Sequence, residues 1–192
     1  MQQEISSDYI ARTRAVSGCF SMFILMFGLT FVPLFFAESA LLQAQGLLFP
    51  LLFAAEFVVL VPLYSFFFSK RAGLGKGTFN VTWFGILFVA LLLVQFAGPW
   101  LLGIRQNEEW VTTQVSLRSY ALWLSSLSLI FIAPVYEEMI FRGCLFNAFQ
   151  YWFKDKTWLT SAVVSAIFAL MHTQYVDFRT LLLLFIVSLV LI

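Results

Sequence analysis

Apolar positions in this chain come in long unbroken runs, with neither the alternation of a half-buried strand nor the narrow stripe of a surface helix. A helix crossing the ~30 Å hydrocarbon core of a bilayer needs about 20 such residues. Val16 to Phe36 is the first run of that kind, and Leu47 to Phe68 the second, carrying Pro50, Glu56 and Pro62. Val81 to Leu102 is the third, and Tyr120 to Phe153 a long fourth region. Thr157 to Val176 is the fifth, and a sixth runs from near Thr180 to Ile192. The pattern predicts an all-α, polytopic membrane helix bundle of about six spans.

The fourth region is too long for one crossing at ordinary tilt, since 34 residues of helix extend about 51 Å. Pro134 lacks an N–H and clashes with the preceding turn, so a kink is expected there. A helix Tyr120 to Ala133 would be followed by a second piece, Pro134 to about Phe153, lying obliquely or near the interface. The first run exceeds the 7–15 apolar residues of a signal-peptide core, so it reads as a retained span. No lipidation motif is present.

Composition agrees. The 192 residues are 61% hydrophobic and 11% charged, with a mean hydropathy of +0.92. Soluble domains carry roughly 25% charged residues. The net charge of +1 and the lack of a basic stripe exclude nucleic acid as a partner. The bilayer itself is the expected environment.

Lysine and arginine set the orientation. Arg12, Arg14, Lys70, Arg71, Lys76, Lys154 and Lys156 fall on one side, against Arg105, Arg118 and Arg179 on the other. A multi-pass protein of the cell membrane with a cytoplasmic N-terminus is expected. Trp83, Trp100, Trp110, Trp123, Trp152 and Trp158 sit near predicted span ends, as in an aromatic belt. Gly73-Leu74-Gly75-Lys76-Gly77 lacks the spacing of a phosphate loop and reads as a connector. Cys19 and Cys144 show no disulfide framework or metal spacing, and read as two small packing residues.

Four charges stand where the hydropathy pattern has no place for them: Glu56, Glu137, Glu138 and Arg142. An unpaired charge at mid-bilayer costs roughly 2.5–3.5 kcal/mol on insertion scales, so each needs a partner, a proton, an interface or a wet cavity. Within Ala133-Pro134-Val135-Tyr136-Glu137-Glu138-Met139-Ile140-Phe141-Arg142-Gly143, Glu138 and Arg142 are spaced i, i+4 and can pair. Glu137 points about 100° away from Glu138. The adjacent glutamates thus divide into one that fixes the helix with Arg142 and one left to face a cavity. Glu56 reads as a protonated or cavity-facing helix residue. His172 is the one histidine in the sequence. Phe168, one turn before it, lies on the same face and can pack on its ring. A glutamate and an imidazole meeting in a wet pocket would activate water for hydrolysis.

Glu137-Glu138-x-x-x-Arg142 followed by Phe168-x-x-x-His172 resembles the CAAX-protease and bacteriocin-processing (CPBP) family of intramembrane endopeptidases. Ala133-Pro134 and Phe141-Arg142-Gly143 add to the likeness, which covers residues 120–192 of a single integral membrane domain, 1–192. The resemblance implies a multi-span helical peptidase of the type II CAAX prenyl endopeptidase kind, with a catalytic pocket inside the membrane. Glu137 and His172 would be catalytic, with Glu138, Arg142 and Phe168 in support. The substrate would be a membrane-associated peptide or protein. The family's chemistry has been argued as a glutamate-activated water or a metal. A divalent ion such as zinc would draw on Glu137, Glu138 and His172.

The family also carries H-x-x-x-N, or a close variant, on a later helix, and this sequence has no second histidine. The chain is therefore expected to continue past Ile192 in a longer protein. A non-catalytic immunity or scaffold protein retaining the pocket is the alternative reading. A small proton-coupled transporter is a third, weakened by the absence of an inverted repeat.

Overall fold

The computed structural model describes residues 2–69, 80–104, 112–113, 119–154 and 156–192, and among them every regular element is helical. α1 is Gln2–Thr30, α2 Ser39–Ala44, α3 Leu48–Leu63 and α4 Val81–Leu102. A π-helical turn, Tyr64–Phe68, extends α3. The long helix α5 is built from five segments: Ser119–Leu127, a π turn at Ser128–Ile132, Ala133–Glu137, a π stretch at Glu138–Leu145, and Phe146–Trp152. α6 is Thr157–Met171 and α7 Phe178–Leu191. Such a fold suits lipid, because a helix satisfies its backbone polar groups internally.

Among the described residues three runs are long and apolar enough to cross a membrane: Leu48–Phe68, Val81–Leu102 and Tyr120–Trp152. Val16–Thr30, Thr157–Met171 and Phe178–Leu191 are shorter apolar helices. These six match the six runs of the sequence, and the chain is an all-α membrane protein. Large apolar side chains such as Phe96, Leu93 and Val58 remain exposed, as lipid-facing residues would. Trp83 and Trp100 lie in the first and last turns of α4, Trp152 ends α5 and Trp158 begins α6, all exposed.

Local chemistry sets the boundaries. α4 occupies the predicted Val81–Leu102. Asn80 caps its start, accepting from the N–H groups of Thr82 at 3.0 Å and Trp83 at 3.1 Å. Gly103 ends it in the left-handed region at φ 67°, and the Ile104 N–H closes back on the Pro99 carbonyl at 2.8 Å. The first run departs from expectation: its helix begins at Gln2 and stops at Thr30. Pro33 disfavours continuing the helix, and Val32–Phe35 forms a 3-10 turn instead. The fifth helix also ends early, at Met171, because the polar stretch after it belongs to a turn and to the cap of α7. There the Asp177 carboxylate accepts from the Arg179 N–H at 2.9 Å.

The helices pack as two compact units. The first holds α1, α2, α3 and α5. Its buried core includes Cys19, Met22 and Met26 of α1, Leu60 and Tyr64 of the α3 run, and Tyr136, Ile140, Cys144, Leu145 and Ala148 of α5. Phe23 meets Phe141 edge-on at 6.0 Å, and Phe20 meets Trp152 at 5.6 Å. The second holds α4, α6 and α7, with Thr160, Val164, Ser165, Ala169 and Ser188 buried. Arg179 Nη1 donates to the Gly103 carbonyl at 2.9 Å, tying the start of α7 to the end of α4.

The cysteines correct the sequence reading. Cys19 and Cys144, 125 positions apart, are both fully buried and joined as a disulfide, with Cα atoms 4.6 Å apart. Their spacing carried no hint of this, because tertiary packing of α1 on α5 brings them together.

The region around Pro134 stays one helical run. Its missing N–H falls just after the π turn Ser128–Ile132, and a local π adjustment of this kind lets a membrane helix keep a proline without breaking. Lys70, Arg71, Lys76, Arg105, Trp110 and Arg118 lie outside the described residues, as does the glycine-rich connector.

Candidate active site

The motif helix α5 gives the charged residues their directions. Ala133–Glu137 is α-helical, so Tyr136 and Glu137 project about 100° apart. Tyr136 is buried, whereas Glu137 is partly exposed. The π stretch that follows carries Glu138 and Arg142, and the two form the expected i, i+4 ion pair. π distortions recur at functional sites because they move side chains off regular helical register.

Arg142 does more than the sequence suggested. Its guanidinium pairs with Glu138 and also lies within electrostatic reach of Glu137. Its Nε is buried with no hydrogen-bond partner among the described residues. The Glu137 carboxylate accepts no hydrogen bond among the described residues. One carboxylate is therefore committed to the arginine, and its neighbour feels the same positive charge with its oxygens still available.

Gly143 explains the end of the motif. A Cβ there would stand 2.5 Å from Tyr64 Oη and 2.9 Å from its Cζ, so only glycine admits the buried Tyr64 ring against α5.

Glu56 turns inward. Only 3% exposed, it accepts from the Thr30 hydroxyl at 3.1 Å and from the Tyr136 hydroxyl, and Glu137 lies within electrostatic reach of it. A polar residue in an apolar helix signals that partners exist. Thr30 and Tyr136 could be named only once α1, α3 and α5 were packed.

His172 sits in the second unit as the residue that ends α6, instead of within a span as the sequence suggested. Its N–H bonds the Ala169 carbonyl at 3.1 Å. Its Nδ1 lies 2.8 Å from the Phe168 carbonyl. A carbonyl only accepts, so Nδ1 carries the proton and the neutral ring keeps its lone pair on Nε2. Phe168 packs on the ring at 4.6 Å, and Tyr175 stacks at 6.3 Å and 17°. The imidazole is thus fixed in tautomer and plane. Glu137, Glu138 and Arg142 belong to the first unit, and Phe168 and His172 to the second.

A catalytic zinc takes about three protein ligands. Among the described residues no three His, Cys, Asp or Glu side chains gather to hold one, and Glu138 is bound to Arg142.

No solved structure matches the chain. An uncharacterized 24.3 kDa protein of Escherichia coli is 31% identical over 106 residues, 53% of this chain and 49% of that protein. The chain thus spans about half the length of the curated relative it matches. Residues 119–192, which hold the glutamate pair, Arg142, Phe168 and His172, match the family described as Type II CAAX prenyl endopeptidase Rce1-like, a protease family, in agreement with the resemblance carried by the two motifs.

Proposed function

We propose that this protein is a membrane-embedded endopeptidase that hydrolyses a peptide bond of a membrane-associated peptide or protein. The carrying observation is the division of labour between adjacent glutamates: Glu138 is bound to Arg142, and the Glu137 oxygens are available beside the same guanidinium. The match of residues 119–192 to a protease family supports it.

Glu137 takes a proton from a water molecule as that water adds to the scissile carbonyl carbon. The family resemblance gives His172 the second catalytic role, and its ring, with the Nδ1 proton held on the Phe168 carbonyl, offers Nε2 as a hydrogen-bond acceptor. Glu137 then delivers the proton to the departing amine nitrogen as the C–N bond breaks, which restores the carboxylate. Such positioned proton transfer contributes about 10²–10⁴-fold. Glu138 and Arg142 hold the motif helix, and Phe168 fixes the imidazole. This route uses Glu137 and His172 in the roles the family resemblance assigned them. The surplus of Lys and Arg on one side puts the N-terminus in the cytoplasm.

The test is cleavage of membrane-anchored and prenylated peptides by the purified protein in lipid nanodiscs. Glu137→Gln and His172→Ala should each lower kcat by at least a hundredfold while the protein stays folded by circular dichroism. Full cleavage by folded Glu137→Gln would end the assignment. Activity in cells that survives Glu137→Gln would leave the immunity or scaffold reading in its place.

A further inference from the structure

Glu56, Thr30 and Tyr136 come from three different helices and meet in the buried core of the first unit. Thr30 is the last residue of α1, Glu56 lies in the middle of α3, and Tyr136 immediately precedes Glu137 in α5. The Thr30 hydroxyl has one proton, divided between the Met26 carbonyl at 3.1 Å and Glu56 Oε1 at 3.1 Å. The Tyr136 hydroxyl donates to the same carboxyl group. Glu56 and Tyr136 are 3% and 2% exposed.

A carboxyl group in an apolar helix is expensive, and a hydrophobic residue at 56 would pack α3 against α1 and α5 without one. Its presence asks for a use. The local geometry of α5 supplies one. Tyr136 and Glu137 lie in a five-residue α segment with π-helical backbone on both sides, Ser128–Ile132 and Glu138–Leu145. The π turn before it bonds i to i+5, as the Ala133 N–H does to the Ser128 carbonyl, so this short segment is rotated off the register that a continuous α-helix would give it. A hydrogen bond from Tyr136 to a neighbouring helix fixes it from outside. Adjacent residues are about 100° apart, so fixing Tyr136 fixes the direction of Glu137.

We propose that Glu56, held by Thr30, is a positioning residue that anchors Tyr136 and thereby sets the direction of the Glu137 carboxylate. The inference rests on the peptidase reading for its role in catalysis. Its geometric content stands apart from that reading and is tested separately.

Tyr136→Phe removes one hydroxyl and keeps the ring, and Glu56→Leu removes the acceptor. Both should lower kcat at least tenfold with KM within twofold and the heat-unfolding midpoint retained. Glu56→Gln keeps an acceptor oxygen and should restore at least a third of kcat. The double variant Tyr136→Phe/Glu56→Leu should be no worse than the poorer single one, since both break the same link. Loss of kcat only in step with loss of folded protein, or no loss at all, would overturn the proposal.

A second arm needs no turnover. Dicyclohexylcarbodiimide labels carboxyl groups in apolar surroundings, and tandem mass spectrometry reads the label on Glu137. The labelling rate at Glu137 should differ at least threefold between the wild-type protein and Tyr136→Phe. Equal labelling would sink the anchor whatever the enzyme does. A wild-type protein without peptidase activity would sink the function and leave this arm to decide the anchor.

Discussion

Gly143→Ala is the smallest perturbation that probes the packing of the motif helix. The added methyl would lie 2.5 Å from Tyr64 Oη, 2.9 Å from Cζ and 3.0 Å from Cε2. The tyrosine is 4% exposed and has no open side to retreat to. Overpacking of a filled core costs roughly 1–3 kcal/mol. Against that, alanine is favoured over glycine in a helix by about 1 kcal/mol. The raw effect would therefore mix two terms of opposite sign. Gly28→Ala in α1 of the same unit separates them, because a Cβ there has nothing within 4 Å. Gly28→Ala should be neutral or stabilising, and Gly143→Ala should fall below it by about 1–3 kcal/mol. Unfolding in mixed micelles titrated with sodium dodecyl sulfate, followed by tryptophan fluorescence, measures both. Combining Gly143→Ala with Tyr64→Leu should recover at least about 1 kcal/mol relative to additivity, as expected for side chains in direct contact. Equal stabilities of the two alanine variants, or additivity in the cycle, would refute the close approach of Tyr64 to α5.

Three further outcomes follow from other contacts. Arg142→Gln leaves Glu138 without its cation. The pair is partly exposed, so the loss should lie between the limits for surface and buried pairs, on the order of 2 kcal/mol, with the Glu138→Arg/Arg142→Glu swap recovering part of it in the same micelle titration. Asn80→Ala removes the acceptor for two backbone N–H groups at the start of α4 and should destabilise the protein by about 1 kcal/mol, whereas Asn80→Asp should retain the cap. Alkylation of the unfolded, unreduced protein should label neither Cys19 nor Cys144, and reduction should expose both to mass spectrometry. Their link closes a loop on the scale of a hundred residues, so reduction should lower stability by several kcal/mol, with about 5 as the chain-entropy expectation.

The parts of this structure that the sequence disclosed are those governed by local rules or by the bilayer. Lipid forces backbone hydrogen bonding into helices, so six apolar runs become six apolar helices. α4 keeps its predicted limits because a capping asparagine and a left-handed glycine bracket it. Glu138 and Arg142 pair because i, i+4 spacing suffices on one helix. The unforeseen parts all depend on which helices become neighbours. Cys19 meets Cys144 because α1 packs on α5, and no spacing encodes that meeting. Pro134 looked like a break because its missing hydrogen bond is a local fact, whereas the π turn that absorbs it belongs to a helix held by its surroundings. Glu56 was visible as a misplaced charge, yet its partners lay 26 and 80 positions away in α1 and α5. Intramembrane charges therefore disclose that a polar constellation exists before they disclose its members. Here Tyr136 stood beside Glu137 in the sequence, and only the packing of α3 on α5 gave that tyrosine a partner.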